Sequence, residues 1–226
     1  MKTPKHFKAW FDGWPELVCL DLDGTLVDSV PDIAGAVDAA LALLGADAAG
    51  EERVRGWVGF GSKKLIEQAL DWAQLDRDYY EEAYKAFLQH YHVHVADNTQ
   101  LYPNVKALLK AFKHQNVPVA LITNKPSGFI KPILDRFEIT EHFAWFLGGD
   151  TLEEHKPSAM PLLHCSDAIE AKPENCLMIG DSITDYRAAS NAGFRCALVT
   201  YGYHQGIDLV SLGADVVIDD LAELLI

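Results

Sequence analysis

Positive charge is scarce in this sequence. It carries 19 Lys and Arg residues against 33 Asp and Glu residues, and its formal net charge is −14 at pH 7. Because an acidic surface repels phosphate backbones and anionic headgroups, we expect neither nucleic-acid binding nor docking to an anionic membrane. A small anionic ligand can still bind, provided that its site supplies local cations.

Cysteine is also scarce. Three of the four cysteines lie in or beside apolar, strand-like runs, where a cysteine behaves as a small hydrophobic residue. No C-x-x-C spacing occurs among Cys19, Cys165, Cys176 and Cys196. This pattern predicts reduced core cysteines of a cytoplasmic protein rather than a disulfide framework.

Long apolar runs are absent. Residues 1–15 mix Lys, His, Asp and Pro and lack the apolar segment of a signal peptide. The longest stretch of small apolar residues, 33–50, is interrupted by Asp38 and Asp47, so we expect no transmembrane span. Hydrophobic residues still make up 49% of the 226 residues, enough for one large domain or a domain with a smaller insert.

Short apolar runs recur along the chain, and helical stretches separate the later ones. Each run is almost continuously apolar, as in strands that are buried on both faces of a sheet. The runs are 17–20, 117–123, 143–147, 176–180, 196–200 and 214–218. The helical stretches are 105–114, 127–137, 161–170 and 183–192. Alternation of this kind predicts an α/β fold with right-handed crossovers and a parallel sheet.

One region lacks strand patterns. Between about residues 29 and 97, apolar residues recur at helical spacing. The predicted helices are 32–44, 51–57, 63–73 and 78–94. We therefore expect a helical domain at 29–97, inserted into an α/β core domain that comprises 1–28 and 98–226.

Polar residues follow the predicted strands in the same relative place. Because the carboxyl ends of parallel strands meet at one edge of the sheet, we expect these side chains to converge. They are Asp21, Asp23, Thr123, Asn124, Lys156, Asp181 and Asp185. Carboxylates this close repel, so they need a cation, a shared proton or different roles. Several oxygen ligands beside an ammonium group favour Mg²⁺ together with a phosphate.

Four ordered motifs carry a family resemblance. They are 21–29 (DLDGTLVDS), 122–125 (ITNK), 156–157 (KP) and 180–185 (GDSITD). Together they resemble the motifs of the haloacid dehalogenase-like hydrolases, from about residue 17 to the end of the chain. The insert resembles the helical cap of one subclass. The resemblance implies a Rossmann-like core with an inserted α-helical cap domain.

The resemblance also implies roles for the acidic residues. Asp21 would be the nucleophile that forms an aspartyl-phosphate. Asp23 would protonate the leaving alkoxide and then take a proton from the hydrolytic water. Mg²⁺ would be held by Asp21, the backbone carbonyl of Asp23, and Asp181, with Asp185 in support. Asp23 also favours phosphate esters over halides, because a halide leaving group needs no proton.

Substrate contacts follow from the same resemblance. Thr123 and Lys156 would bind the phosphoryl oxygens, with Asn124 beside them. The segments 28–33, 51–61 and 199–203 resemble phosphoglycolate phosphatases in particular. The implied activity is Mg²⁺-dependent hydrolysis of 2-phosphoglycolate to glycolate and phosphate. Arg55, Lys63 and Lys64 are candidate cap cations for the substrate carboxylate, near a glycine-rich turn at 59–61 that we expect to reach into the site.

Two alternatives stay open for the function. One is a phosphomutase or phosphatase of the same superfamily that acts on a sugar phosphate, similar to β-phosphoglucomutase. The other is a non-catalytic binding protein, which the intact acidic set argues against. The chain is expected to act as a monomer or a homodimer on a small phosphorylated substrate. Phe7, Trp10, Phe11 and Trp14 are apolar enough to pack on the core, although the role of 1–15 is open.

The last helix of the insert carries two further patterns. Its aromatic stripe of Tyr80, Tyr84, Phe87 and Tyr91 indicates helix packing. Its end carries His90, His92 and His94, of which the first and last share a face. An exposed helix end is expected for these histidines, and a zinc or nickel site is the alternative.

Overall fold

The computed structural model describes residues 3–226, and six parallel strands form its main sheet. These strands are β1 (Leu17–Leu20), β4 (Val119–Ile122), β5 (Trp145–Leu147), β6 (Cys176–Gly180), β7 (Arg195–Val199) and β8 (Val216–Ile218). Their spatial order is β5-β4-β1-β6-β7-β8. Strand β1 therefore lies in the middle, where Val18 pairs with Val119 on one side and Leu177 on the other. This confirms the predicted parallel sheet.

Helices cover both faces of the sheet. They are α1 (Lys5–Phe11), α6 (Val105–His114), α7 (Ile130–Arg136), α8 (Met160–Asp167) and α9 (Ile183–Ala192). Residues of β1 alternate between the two layers, because successive strand side chains point to opposite faces. Val18 and Leu20 pack with α1, α6 and α7, whereas Leu17 and Cys19 pack with α8 and α9. All four cysteines are buried and free.

The first helix was not predicted as an element. Phe7 lies fully buried in the core, with its ring centroid 6.1 Å from that of Phe112. Trp10, Phe11 and Trp14 pack around the same cluster. The described part of 1–15 thus covers one end of the core, while residues 1 and 2 lie outside the described range.

The helical insert lies between two short strands, β2 (Val27–Asp28) and β3 (Gln100–Leu101). Its helices are α2 (Val30–Leu43), α3 (Glu51–Arg55), α4 (Ser62–Trp72) and α5 (Tyr80–Val93). They share an apolar core of their own, with α2 packed along α5. The helical insertion is confirmed, and we retain 28/29 and 97/98 as the proposed domain boundaries. No helix within residues 3–226 combines the length and the apolar character needed to cross a membrane.

The two connections to the insert are joined in a way that the sequence did not predict. Strands β2 and β3 pair in antiparallel fashion. Asp32, at the start of α2, is buried and accepts hydrogen bonds from the backbone N–H groups of Asn98 and Thr99. The Asn98 amide and the Thr99 hydroxyl donate to the same carboxylate. One buried carboxylate therefore ties together the chain entering and the chain leaving the insert.

Asp32→Ala is expected to lower the free energy of unfolding by about 3 kcal/mol, because it strands two buried donors, the backbone N–H and the hydroxyl of Thr99. Urea denaturation would measure the loss. The control is Asp38→Ala, which removes a half-buried carboxylate that accepts from the backbone N–H groups of Ala49 and Gly50 in part-buried hydrogen bonds and should lower stability less. Equal losses in the two variants would contradict the assignment.

Candidate active site

The strand ends bring the predicted polar residues to a cleft between the sheet and the insert. Its floor comes from the core domain, and its roof comes from α2, α4, α5 and the turn that precedes α4. The polar residues of the floor are Asp21, Asp23, Thr123, Asn124, Lys125, Lys156, Ser182 and Thr184. Asp181 and Asp185 lie directly behind this floor and are buried. The convergence follows from the parallel sheet, since each residue comes after the carboxyl end of a strand.

Lys156 is the central cation of this edge. Its Nζ donates to Asp21 Oδ1 at 2.8 Å and to Asp185 Oδ1 at 2.6 Å, and the side chain is only 2% exposed. Burial lowers the pKa of Lys156, but the attraction of Asp185 and Asp21 outweighs it and leaves the pKa above its usual value. The lysine is therefore a fixed positive charge.

Asp21 lies in an environment that disfavours its charge. The pKa of Asp21 is raised to about 7, chiefly by burial, which the Lys156 ammonium offsets only in part. Asp185 and Asp23 add repulsion in the same direction. A further cation at this carboxylate would favour its ionised form.

Asp181 is oriented by neighbours on both of its carboxylate oxygens. Thr25 donates its hydroxyl to Oδ1 at 3.2 Å, and the backbone N–H of Tyr203 donates to Oδ2. Gly24 adopts φ +90°, and a Cβ there would collide with this carboxylate. The glycine of the first motif is thus needed both for its backbone conformation and for the close approach of Asp181.

Asp185 has a structural and an electrostatic role at once. Its Oδ2 accepts from the backbone N–H groups of Asp181 and Ser182 and forms a capping box at the start of α9. Its Oδ1 faces Lys156. Asp185 therefore caps α9 and contacts the central lysine of the site with the same carboxylate.

Three carboxylates form a cluster that suits a divalent cation. Oxygen atoms of Asp21, Asp181 and Asp185 lie within 4.8 Å of one another, and all three residues are buried. With Lys156 as their one cationic partner, the ionised set would carry a net charge of −2. Burial, followed by repulsion from Asp185 and Asp21, raises the pKa of Asp181 well above its usual value. A hard dication with oxygen ligands would neutralise this excess, so the donor set fits Mg²⁺.

Asp23 is held apart from that cluster. Its carboxylate accepts from Lys125 Nζ at 2.8 and 2.9 Å and from the hydroxyl of Ser29. Its carboxylate therefore lies outside the three-carboxylate cluster, and the carbonyl contact to a metal that the resemblance implies stays a prediction. The two acids of the first motif have different partners, Lys156 for Asp21 and Lys125 for Asp23, which supports different roles.

Lys125 was missed as a site residue by the sequence analysis. Its side chain is 4% exposed and lines the cleft. Burial lowers its pKa, but Asp23 and Tyr91 outweigh that effect and raise it above the usual value. The available signal was its position, since Lys125 closes the ITNK motif immediately after the end of a strand.

Thr123 and Asn124 lie where the strand-end argument places them. The Thr123 hydroxyl accepts from the backbone N–H of Lys125 at 3.2 Å, which leaves its own proton free to donate into the cleft. Asn124 donates its amide to the carbonyl oxygens of Gly59 at 3.1 Å and Lys156 at 2.9 Å. Asn124 therefore links the core loop to the glycine-rich turn of the insert.

The roof of the cleft is mostly apolar. Ile33, Val58, Leu65 and Phe87 come from the insert, and Phe129 from the core lies beside them. Tyr91 of α5 adds the one phenol among the lining residues described. Burial raises the pKa of Tyr91 to about 12, so its hydroxyl keeps its proton at neutral pH. Gly59 and Gly61 also line the cleft, as expected for a turn that reaches the site.

The arrangement matches a known family. The family model of the haloacid dehalogenase-like hydrolases matches residues 18–199, which is most of the chain and includes every polar residue of the cleft floor. The chain belongs to this family.

Relatives and solved structures agree with that assignment. Phosphoglycolate phosphatase 1 of Pseudomonas aeruginosa is 44% identical over 214 residues, covering 93% of this chain and 79% of the relative. A phosphoglycolate phosphatase of Chromobacterium violaceum is 40% identical over 223 residues, covering 97% and 96%. The crystal structure of a predicted phosphoglycolate phosphatase from Haemophilus somnus has a TM-score of 0.90 at 36% identity, covering 93% and 96%. This haloacid dehalogenase-like hydrolase is a phosphoric monoester hydrolase similar to phosphoglycolate phosphatases.

The candidate cap cations of this hydrolase lie elsewhere. Arg55 forms a two-pronged ion pair with Asp28, with both nitrogen–oxygen distances at 3.2 Å, and its guanidinium lies 5.1 Å from the Tyr203 ring centroid. Lys63 and Lys64 are exposed, and Lys64 pairs with Glu67. None of the three lines the cleft. Their role in substrate binding stays a prediction that the static arrangement does not favour.

Tyr203 connects the acidic cluster to the insert. Its backbone N–H donates to Asp181, its hydroxyl donates to Asp28 at 2.6 Å, and the N–H of Ser29 donates to that hydroxyl at 2.9 Å. Through its backbone N–H and its hydroxyl, Tyr203 thus links a candidate metal ligand to the first connection of the insert.

The histidines at the end of α5 form a surface group. The rings of His90 and His94 are 4.5 Å apart, His94 contacts Asp97, and His92 is exposed. Among residues 3–226, only Asp21, Asp181 and Asp185 group with metal-ligand spacing. The alternative of a zinc or nickel site at these histidines therefore gains no support.

Proposed function

We propose that this hydrolase is a Mg²⁺-dependent phosphatase that converts 2-phosphoglycolate to glycolate and phosphate through an aspartyl-phosphate on Asp21. The observation that supports it most is the buried Asp21 carboxylate, held by Lys156 at 2.8 Å inside a three-carboxylate cluster, with Asp23 on a separate lysine. The relatives named phosphoglycolate phosphatase support the choice of substrate.

The first half of the reaction uses both acids. The Asp21 oxygen that is not bound to Lys156 attacks phosphorus in line and displaces the glycolate oxygen. Asp23 donates a proton to that oxygen as it leaves. Lys125 and Ser29 hold the Asp23 carboxylate in place, so its proton is delivered from a fixed position.

The second half regenerates the enzyme. Asp23, now ionised, takes a proton from a water molecule that attacks the aspartyl-phosphate. Inorganic phosphate leaves and Asp21 is restored. The apolar roof limits the water that reaches the site, which strengthens the electrostatic contacts inside.

The phosphoryl oxygens are bound by groups already in place. The Thr123 hydroxyl and the Lys156 ammonium both face the cleft. Mg²⁺ would be held by the carboxylates of Asp21 and Asp181 and the carbonyl of Asp23, with Asp185 behind them, and when bound it neutralises charge on the transferring phosphoryl group. Lys156 also fixes the orientation of Asp21.

Phosphate release from a substrate panel, with and without Mg²⁺, is the test. We expect turnover to prefer 2-phosphoglycolate over hexose phosphates, to stop in EDTA, and to return with Mg²⁺. Asp181→Asn should raise the Mg²⁺ concentration for half-maximal activity by about 100-fold, since a charged ligand is lost. Asp167→Asn, at an exposed residue outside the cleft, is the control and should match the wild type. A preference for a hexose phosphate, or transfer between sugar positions without phosphate release, would refute the proposal.

A further inference from the structure

Tyr91 has a buried hydroxyl whose proton has no acceptor. The residue is 1% exposed and lines the cleft, and its hydroxyl lies beside the Lys125 ammonium, which can only donate. The ring is fixed by an edge contact with Phe129 at 4.9 Å and by stacking on Phe87 at 5.6 Å. A buried donor left without an acceptor costs about 1–3 kcal/mol, so a ligand that accepts from it would recover that loss. The sequence analysis assigned Tyr91 to packing alone.

Lys125 lies next to this hydroxyl-bearing ring. Its Nζ is 4.9 Å from the Tyr91 ring centroid. An ammonium group has three donors, and two of those on Lys125 are used by the oxygens of Asp23. Among the cleft-lining residues described, the cations are Lys125 and Lys156, and Lys156 is shared between Asp21 and Asp185. Lys125 is therefore the cleft cation that lies beside Tyr91.

The surroundings of this pair favour a compact anion. Ile33, Val58, Leu65 and Phe87 line the roof and offer no hydrogen-bonding side chain, and the hydroxyl of Ser62, which also lines it, is paired with Tyr84. A sugar with several hydroxyl groups would leave them unsatisfied against such a surface. A carboxylate, in contrast, can accept from one phenol and one ammonium while its short carbon stem contacts the apolar wall.

We propose that the Tyr91 hydroxyl and the Lys125 ammonium together bind the carboxylate of the substrate. This inference rests on the proposed function and deepens it. In 2-phosphoglycolate one methylene carbon separates the carboxyl carbon from the leaving oxygen. A lysine that contacts both the carboxylate and Asp23 therefore brings the proton donor close to the oxygen that needs the proton. Because Tyr91 comes from the insert and Lys125 from the core, the anion site is complete only when the two are packed together.

Tyr91→Phe tests the hydroxyl without disturbing the ring. Steady-state kinetics should be compared for 2-phosphoglycolate and for ethyl phosphate, which lacks the carboxylate. The comparison separates binding of the carboxylate from binding and turnover of the phosphate group. We expect kcat/KM for 2-phosphoglycolate to fall by about 10- to 100-fold, as for a hydrogen bond to a charged group, mainly through KM. The fall for ethyl phosphate should be under about 2-fold. Metal-free stability should change little, since the removed hydroxyl proton has no acceptor.

The matched control is Tyr80→Phe, on the same helix. Tyr80 does not line the cleft, so the ratio of kcat/KM for 2-phosphoglycolate to kcat/KM for ethyl phosphate should stay at the wild-type value. Lys125→Met should lower turnover of both substrates, because Asp23 loses its partner. It should also lower the ratio of kcat/KM for 2-phosphoglycolate to kcat/KM for ethyl phosphate, and Lys125→Arg should restore part of that ratio.

The outcomes separate this inference from the proposed function. If the wild type prefers 2-phosphoglycolate and Tyr91→Phe keeps that preference in full, the anion site is refuted and the proposed function stands. Equal losses on both substrates in Tyr91→Phe would likewise refute it, since they indicate a general effect on the cleft. If the wild type shows no preference for 2-phosphoglycolate, the proposed function fails by itself. The same comparison, made with a preferred phosphate ester that bears a carboxylate and its uncharged analogue, then decides on the anion site.

Discussion

Asp21→Asn is expected to abolish phosphate release, with kcat lower by at least about 10⁴-fold, because an amide oxygen cannot form the acyl phosphate. The variant should still fold. Ionising Asp21 opposes folding in the metal-free protein, since burial raises its pKa to about 7. An asparagine carries no charge to bury and can still accept from Lys156. Phosphate-release assays, together with urea denaturation in EDTA, would measure both effects.

The pH dependence of stability tests the direction of the Asp21 effect. The folded-state pKa of Asp21, about 7, lies above the unfolded value near 4. The folded protein therefore binds more protons between these pH values, and the Asp21 contribution to stability is present below about pH 4 and lost as the pH rises through about 7. The metal-free Asp21→Asn variant should not show this part of the fall in unfolding free energy with rising pH. Full residual activity, or a stability profile that parallels the wild type, would contradict the assignment of Asp21.

Lys156→Met is expected to produce the largest loss of stability. The substitution leaves Asp21, Asp181 and Asp185 together in the interior without their ammonium partner. Breaking a buried ion pair from one side costs about 3–5 kcal/mol, because the remaining charge has no compensation. Urea denaturation in EDTA should show this loss, and saturating Mg²⁺ should reduce it, because the dication neutralises the same carboxylates.

Two comparisons make the cause of that loss clear. Lys131→Met removes a lysine from an exposed pair with Asp135 and should leave stability unchanged within error. The double variant Lys156→Met, Asp185→Asn should be more stable than Lys156→Met alone, because one of the stranded charges is gone. A double variant that is less stable by the sum of both single losses would show that packing, and not charge, explains the effect.

Much of the fold was readable from local patterns. The bounds of β1, β6, α6 and α9 agree with their apolar runs and helical spacing, because each of these elements buries a continuous face. Strand β4 begins later than predicted, at Val119, after Pro118, which has no N–H to donate to the ladder. Helix α1 and the β2–β3 pair were missed. The first is short and the second is two residues long per strand, so neither carries a periodicity that can be recognised.

The candidate site, like the fold, could be predicted from the sequence only in part. Asp21, Asp23, Thr123, Asn124, Lys156, Asp181 and Asp185 could be named from the sequence, since strand ends in a parallel sheet meet at one edge. Their pairing could not. That Lys156 binds Asp21 and Asp185, while Lys125 binds Asp23, depends on how two loops from different strands approach the end of β1.

By itself, the sequence determined the α/β core, the helical insertion and the set of acidic residues, because strand and helix patterns and motif order are local properties of the chain. Only the tertiary structure decided which cations line the cleft. Arg55 and Lys63, which sequence proximity to the cleft turn had suggested, point to other partners or to solvent. Lys125 and the hydroxyl of Tyr91 meet in the cleft although 34 positions separate them. Their meeting depends on the packing of the insert against the sheet, which no local pattern encodes.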